Sequence, residues 1–335
     1  SVARLLGASS PKQIVFTSGG SEGNQTALRA GSRLNPSRKR ILTTTVEHAA
    51  VLEPLAAFEA DGWNVERVGV DAEGRLDALA FAARIDADCA LVSVMWANNE
   101  TGVVNELAPI AQACRRHGAL LHVDAVQACG KLALKVDDLG ADFVTVSAHK
   151  LHGAKGVGAL YVRRGLALAP LIRGGGQEDE RRGGTENVPA IVGFGRAAQL
   201  ARDWLASDGP ARLATMRDEL ERRLVARIPD THVHGAAAQR VANTTNLRFE
   251  GVSGEAVVNL IADEGLCAST GAACSSSRHR PSHVLMAMGL DSAQASSSVR
   301  LSLSRYSTAL EVDAAVEILV GAVARLRALA GTSRS

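Results

Sequence analysis

Apolar positions along the chain recur in two rhythms. In the first half, short runs rich in Val, Ile, Leu and Thr at residues 13–17, 40–44, 64–70, 89–96, 120–124 and 142–147 read as strands. Several are apolar at successive positions, the mark of a strand buried on both faces. Between them, residues 22–30, 49–60 and 106–117 have helical length and spacing, and the last stretch is followed by Gly118, as a C-cap would be. This alternation predicts an α/β architecture, a mostly parallel sheet covered by helices.

The rhythm changes later. A Gly-rich stretch at 173–185 follows a strand-like run at 158–163, and a long helical region extends from about 188 to 227. Beyond it the pattern predicts a strand at 241–249, a helix at 254–264, a short strand at 266–270 and a loop of small residues. A helix near 282–288, a strand at 299–304 and a final helix complete it. We therefore expect a large domain over 1–205 and a smaller α+β C-terminal domain over 206–335. A chain of 335 residues also exceeds the ~250–300 at which one core stops growing. It opens inside a helix-like run at 2–6 with no Met before it, so a preceding segment is expected.

Hydrophobic residues make up 46% and charged residues 21%, a balance that excludes a disordered or collagen-like chain. Positive and negative charges nearly cancel, 37 Lys and Arg against 35 Asp and Glu, so no general electrostatic attraction to nucleic acid or an anionic membrane is expected. The longest uncharged apolar stretches, 89–97 and 165–172, are far short of the ~20 residues of a membrane-spanning helix. No secretory signal opens the chain, which makes a cytoplasmic address the default. The five cysteines (89, 114, 129, 267 and 274) are widely spaced, without a C-x-x-C pair, and read as reduced thiols; no metal site is expected.

In open α/β sheets, ligands sit outside the carboxyl ends of the strands. After the first strand, Ser18-Gly19-Gly20-Ser21-Glu22-Gly23 leads into a helix and offers free N–H groups to an anion such as phosphate, or is only a turn. Glu47-His48-Ala49 follows the second strand and Asn98-Asn99-Glu100-Thr101-Gly102 the fourth. Asp124 closes the apolar fifth strand, with Gln127 one turn on; burying it is costly without a cation or strong donors, and a positively charged partner is expected for it. The sixth strand ends Ser147-Ala148-His149-Lys150, followed by Gly153, Gly156 and Gly158. With 31 Arg and only six Lys in the chain, a Lys here calls for a task Arg cannot perform: an amine forms a Schiff base and a guanidinium does not. An anion loop, a strand-end Asp and a strand-end Lys together describe a site for pyridoxal 5′-phosphate.

These segments, with Gly174-Gly175-Gly176-Gln177-Glu178, Gly184-Thr185-Glu186-Asn187, Ser269-Thr270-Gly271-Ala272-Ala273-Cys274 and Val299-Arg300-Leu301-Ser302, occur in the order and over nearly the full length of a known family. The chain resembles the cysteine desulfurases, fold-type I PLP-dependent enzymes within aminotransferase class V. The resemblance implies that Lys150 carries the cofactor aldehyde, Asp124 faces the pyridine nitrogen and Gln127 bonds the phenolic oxygen. It further implies that His48 stacks on the ring and relays protons, and that Asn99 helps hold cofactor and substrate. Gly20, Ser21, Ser147 and His149 resemble the phosphate cradle. Thr185 matches a residue that reaches the phosphate of a neighbouring subunit, which implies a homodimer, and Arg300 matches the residue that grips the substrate carboxylate. Gly20-Ser21 stands where the family often has Ala-Thr, and Ala272-Ala273 where Ser-Ala is usual.

Cys274 resembles the nucleophile, and its surroundings agree: residues 269–279 are almost wholly small and polar, and Arg278, His279 and Arg280 lie nearby. Cys89, within a strand, and Cys114, within a helix, read as inert core thiols, whereas Cys129 and Cys267 remain open. The loop before Ser282 has the length of the nitrogen-fixation and iron–sulfur branch. The implied activity converts L-cysteine to L-alanine with a persulfide left on Cys274, for delivery to an iron–sulfur scaffold or other sulfur-acceptor protein. A selenocysteine lyase or aminotransferase on the same fold is an alternative, as is a non-catalytic sulfur-carrier docking subunit.

Overall fold

The first-half strands assemble as one sheet in the computed structural model, which describes residues 1–271 and 281–332. Strands β1 (Ile14–Thr17), β2 (Arg40–Thr44), β3 (Asn64–Val68), β4 (Cys89–Met95), β5 (Leu120–Asp124), β6 (Phe143–Ser147) and β7 (Gly158–Val162) lie in the order β1-β7-β6-β5-β4-β2-β3. Neighbours from β3 through β6 are parallel, whereas β7 runs antiparallel to both β6 and β1. The reversal follows from chain length: the short turn and glycine loop after β6 leave no room for the helical crossover that parallel pairing needs, and the chain folds straight back. Every residue of β4, β5, β6 and β7 is buried, as their continuous apolar runs require.

The helix Gly20–Leu34 covers the centre of this sheet. Its Ala27, Leu28 and Ala30 are buried in one cluster with Leu91, Phe143 and Leu160 from the strands. Each fully buried Leu or Phe of such a cluster contributes about 1.5–3 kcal/mol. A polar layer crosses the same strands: His122 of β5 bonds Ser93 Oγ of β4 at 2.8 Å and Thr145 Oγ1 of β6 at 3.1 Å. Burial pushes the His122 pKa down to about 3, so a neutral imidazole ties the strands together.

The chain divides into two compact units. The first comprises Ser1–Gly69, Leu76–Asn98 and Val104–Ser207; the second comprises Val70–Arg75, Asn99–Val103 and Asp208–Ser335. The second is built on the antiparallel sheet β10-β9-β8, with β8 (Thr231–Val233), β9 (Thr244–Phe249) and β10 (Ser298–Ser302). Its helices Gly209–Arg227, Gly254–Asp263 and Ala309–Thr332 pack around Leu224, Leu247, Phe249, Val257 and Val316. Among the described residues no helix is long and apolar enough to cross a membrane, and no cluster of His, Cys, Asp and Glu could hold a metal.

Some elements differ from the sequence reading. The helical region expected over 188–227 is two helices, Val188–Leu205 and Gly209–Arg227, because Pro210 stands at the start of the second and begins a new helix. The short strand expected at 266–270 is a single bridge, Ser269 to Arg300, with Ser269 N donating to Arg300 O at 3.1 Å and Arg300 N donating to Ser269 O at 2.7 Å.

Candidate active site

In the first unit, neighbouring strands end in side chains that converge on Asp124. This residue is the last of β5, in register with Met95 of β4 and Thr145 of β6, and is only 5% exposed. Its Oδ2 accepts from Asn24 Nδ2 at 2.7 Å and its Oδ1 from Val126 N at 3.0 Å. Both hydrogen-bond donors are neutral; positive charge reaches Asp124 from His48 and Lys150. Burial raises its pKa; the two hydrogen bonds and the charges of His48 and Lys150 pull the other way without restoring the ordinary value. A buried carboxylate with neutral donors fits a ligand that brings its own cation, as a protonated pyridine does.

His48 caps the helix Ala49–Ala60, its Nδ1 accepting from Ala50 N at 3.0 Å. With Nδ1 committed as an acceptor, the neutral ring carries its proton on Nε2. Lys150 is exposed on the 3-10 turn Ala148–Leu151 that follows β6. Beside it, buried Ser147 Oγ bonds His149 Nδ1 at 2.8 Å. Burial, together with the charges of Lys150 and Lys155, keeps the His149 pKa below its usual value. Gln127 Oε1 accepts from Lys131 Nζ at 2.5 Å, which commits its oxygen and leaves its NH2 group as the donor.

Gly20 and Ser21 form the first turn of the helix Gly20–Leu34, whose start carries no side-chain cap, so its leading N–H groups suit a phosphate. Glycine is required opposite this turn: a Cβ on Gly158 would lie 2.8 Å from Gly19 Cα and from Val146 O. Glu22 accepts from Ser18 N at 2.7 Å and from Arg182 Nε at 3.0 Å. Although burial opposes it, these partners hold the Glu22 carboxyl below its ordinary range. Thr185 is exposed and lines a cavity of about 230 Å³ with Phe16, Ser18, Glu178 and Arg182. A strand-end Lys, a carboxylate needing a cation and an uncapped helix start are together a donor set that fits pyridoxal 5′-phosphate.

Two residues of this region carried no role in the sequence reading. Asn24, 1% exposed, supplies the donor to Asp124; the signal for it is a polar residue one turn into the buried face of the helix after the glycine loop. Glu47 is fully buried and accepts from Thr44 Oγ1 at 2.7 Å and Met95 N at 2.9 Å. Burial, reinforced by the neighbouring charge of Asp124, pushes Glu47 up to about 8, so at neutral pH it is largely protonated.

In the second unit, Arg300 of β10 donates from Nη1 to the backbone oxygen of Asn99 at 2.9 Å. The Asn99 side-chain Oδ1 is buried with no hydrogen-bond partner among the described residues, an acceptor a ligand could meet. Glu100, 3% exposed, has its pKa pushed up to about 7 by burial, against the pull of Ser282 and Arg300. Cys274, with the basic residues 278–280 and the length of the loop before Ser282, lies outside the described residues. Of the other thiols, Cys89, Cys114 and Cys129 are buried and Cys267 is exposed. Burial pushes Cys89 up to about 11 and Cys129 to about 12, and raises Cys114 as well, so none of the three is a ready nucleophile.

The family Aminotransferase class-V matches residues 1–315. A protein named cysteine desulfurase from Cereibacter sphaeroides is 47% identical over 330 residues, covering 98% of this chain and 84% of that protein. Among solved structures, one described as a NifS-like protein superposes with a TM-score of 0.89 at 35% identity, covering 97% of this chain and 86% of the other. Another, described as SspA in complex with cysteine, gives 0.78 at 32% identity, covering 92% and 85%.

Proposed function

Because the chain belongs to the cysteine desulfurase family of the class-V aminotransferases, we propose that it takes sulfur from L-cysteine, releases L-alanine and holds the sulfur as a persulfide on Cys274. The observation that carries the reading is the conjunction of Lys150 and Asp124 at adjacent strand ends with the uncapped helix start at Gly20.

Pyridoxal 5′-phosphate, when bound, supplies an aldehyde that captures the amino group of the substrate and a protonated ring that draws electrons from Cα. The chain supplies the rest. Lys150 provides the amine that holds the aldehyde and, once released, a base that moves the Cα proton. Asp124, oriented by Asn24, would face the ring nitrogen of the bound cofactor. Gln127 would offer its NH2 to the phenolic oxygen, and Gly20, Ser21, Ser147 and His149 would hold the phosphate, with Thr185 of a second protomer if the chain pairs as a homodimer. His48, with its proton on Nε2, would stack on the cofactor ring and exchange a proton with the substrate thiol. Asn99 contacts cofactor and substrate, and Arg300 pairs with the substrate carboxylate through two parallel N–H donors.

The thiolate of Cys274 attacks the sulfur of L-cysteine: an S–S bond forms, the substrate C–S bond breaks with its electron pair passing to the carbon fragment, and protonation of that fragment yields alanine. An ordinary Cys, pKa ~8.5, is only a few per cent thiolate at neutral pH, so a basic neighbour would favour the reactive form; Arg278, His279 and Arg280 are close to it in the sequence. The persulfide then passes to an iron–sulfur scaffold or other acceptor protein. A cytoplasmic setting suits this chemistry, which requires reduced thiols.

The holoenzyme is mixed with L-cysteine and a reductant, and alanine and sulfide are quantified. Equal amounts of both are expected from the unsubstituted protein and neither from Cys274→Ser, with the cofactor absorbance unchanged. Full activity in Cys274→Ser would remove the nucleophile assignment. Faster turnover of L-selenocysteine than of L-cysteine would favour the lyase reading.

A further inference from the structure

Residues 272–280, which include Cys274, are bordered in the sequence by Gly271 and by Pro281-Ser282. Glu100 meets Gly271 and Ser282. Its Oε2 accepts from Ser282 Oγ at 2.5 Å, and the same hydroxyl accepts from Leu285 N at 3.1 Å as the cap of the helix His283–Ala287. On the other side, a Cβ at Gly271 would lie 2.2 Å from Glu100 Oε2 and 3.1 Å from Ser282 Cβ, so the Gly271 backbone lies close against the carboxyl. Asn246, fully buried, donates from Nδ2 to the Glu100 backbone oxygen at 3.3 Å and fixes where the side chain starts.

Arg300 belongs to the same assembly. Its guanidinium bonds the backbone oxygen of Asn99, the residue before Glu100, and its charge acts on the Glu100 carboxyl. Its backbone pairs in both directions with Ser269, two residues before Gly271. Glu100 therefore stands where both ends of the Cys274-bearing segment and the arginine assigned to the substrate carboxylate come together.

We propose that Glu100 is a positioning residue for sulfur transfer: through Ser282 and Gly271 it fixes both ends of the segment carrying Cys274 and holds them in register with Arg300. The inference rests on the assignments of Cys274 and Arg300 made under the proposed function. Its carboxyl, raised to about 7 by burial, holds the Ser282 contact in either protonation state, because a carboxylate and the carbonyl oxygen of a carboxyl group both accept from a hydroxyl. A glutamine amide oxygen does the same, and alanine does not.

The holoenzyme is compared with Glu100→Ala, Glu100→Gln, Ser282→Ala and the Glu100→Ala/Ser282→Ala pair. Readouts are kcat and KM for L-cysteine per cofactor-loaded protomer, and peptide-resolved iodoacetamide alkylation of Cys274 against exposed Cys267 without substrate. We expect Glu100→Ala and Ser282→Ala each to lower kcat by ~10- to 100-fold, the scale of an ångström misplacement. The alkylation rate of Cys274 relative to Cys267 should shift in both. Glu100→Gln should restore kcat to within a few-fold, and the double variant should be no worse than the poorer single one, as for groups acting through one contact. Unchanged kcat and alkylation in the alanine variants, Glu100→Gln failing as badly as Glu100→Ala, or losses that multiply in the double variant would each overturn the proposal. Should Glu100→Ala not fold, Ser282→Ala, which also loses the cap on Leu285 N, is read against Ser282→Asp, which keeps an acceptor for that cap but no hydroxyl donor: loss in both supports the proposal, and loss in Ser282→Ala alone overturns it. Failure of the underlying reading is distinct: the unsubstituted holoenzyme would then release no alanine, while the alkylation comparison would still decide the anchoring.

Discussion

The strand ends of the first unit and the segment around Arg300 in the second are built by opposite means. Asp124, Glu47 and Asn24 are buried, and each is held by hydrogen bonds to neighbouring strands or helices. Around Arg300, the fixed points are backbone atoms and small residues: the oxygen of Asn99, the Ser269 bridge and the Cβ-less Gly271. A group whose task is to hold one charge in one place benefits from a rigid, dry surrounding. A thiol that must receive sulfur and pass it on benefits from small, polar neighbours. In the proposed reaction, the first region governs the electronics of the cofactor and the second governs substrate and sulfur.

Substitutions should therefore separate into two classes. The largest effect is expected from Lys150→Ala: a loss of ~10²–10⁴-fold in kcat, the worth of a positioned proton-transfer group, together with loss of the cofactor's protein-linked absorbance band. Removing the guanidinium in Arg300→Ala should raise KM for L-cysteine ~10- to 100-fold, the loss of a charge-assisted hydrogen-bonding partner, and leave that band in place. Should Arg300→Ala instead change the spectrum and spare KM, the division between the regions is wrong.

Within the first region, Asp124→Asn should lower kcat at least about tenfold, equivalent to one pKa unit, or ~1.4 kcal/mol, at the ring nitrogen. Asn24→Ala leaves a buried carboxylate oxygen without its donor and should cost about 1–3 kcal/mol of stability, read from denaturant unfolding. The smallest effect is one of slope. Because the Glu47 pKa is raised in the folded protein to about 8 from an ordinary 4.5, the folded state retains a proton that the unfolded state has released. Stability from this group is full below about pH 4.5 and declines as pH rises towards 8. Glu47→Gln should flatten that decline, raising the unfolding temperature at pH 8 with little change near pH 4, and an unchanged slope would mean that Glu47 is ionised.

What the sequence could reveal follows the same division. Strands Arg40–Thr44 and Leu120–Asp124 and the helix Ala49–Ala60 have the bounds their apolar patterns indicate, because local periodicity and burial agree there. The reversal of β7 and the strand order depend on loop reach and packing, which periodicity does not encode. The break between Leu205 and Gly209 had a signal in Ser207-Asp208-Gly209-Pro210, outweighed by helix-favouring residues on either side. Among polar residues, Asp124, His48 and Lys150 stand at strand ends, where chemistry is sought first. Asn24, Glu47 and Glu100 act on other residues, and that role exists only once β2, β4 and β5, or β9 and β10, are side by side. Short Thr231–Val233 carries too few residues to show a period at all.

The central claim is that Lys150 holds the cofactor. The protein saturated with pyridoxal 5′-phosphate is reduced with borohydride, digested and mapped by mass spectrometry. The account predicts one stable phosphopyridoxyl adduct, on the peptide containing Lys150, and none there in Lys150→Ala. A folded protein that yields no adduct, or carries it on another of its six lysines, would contradict it.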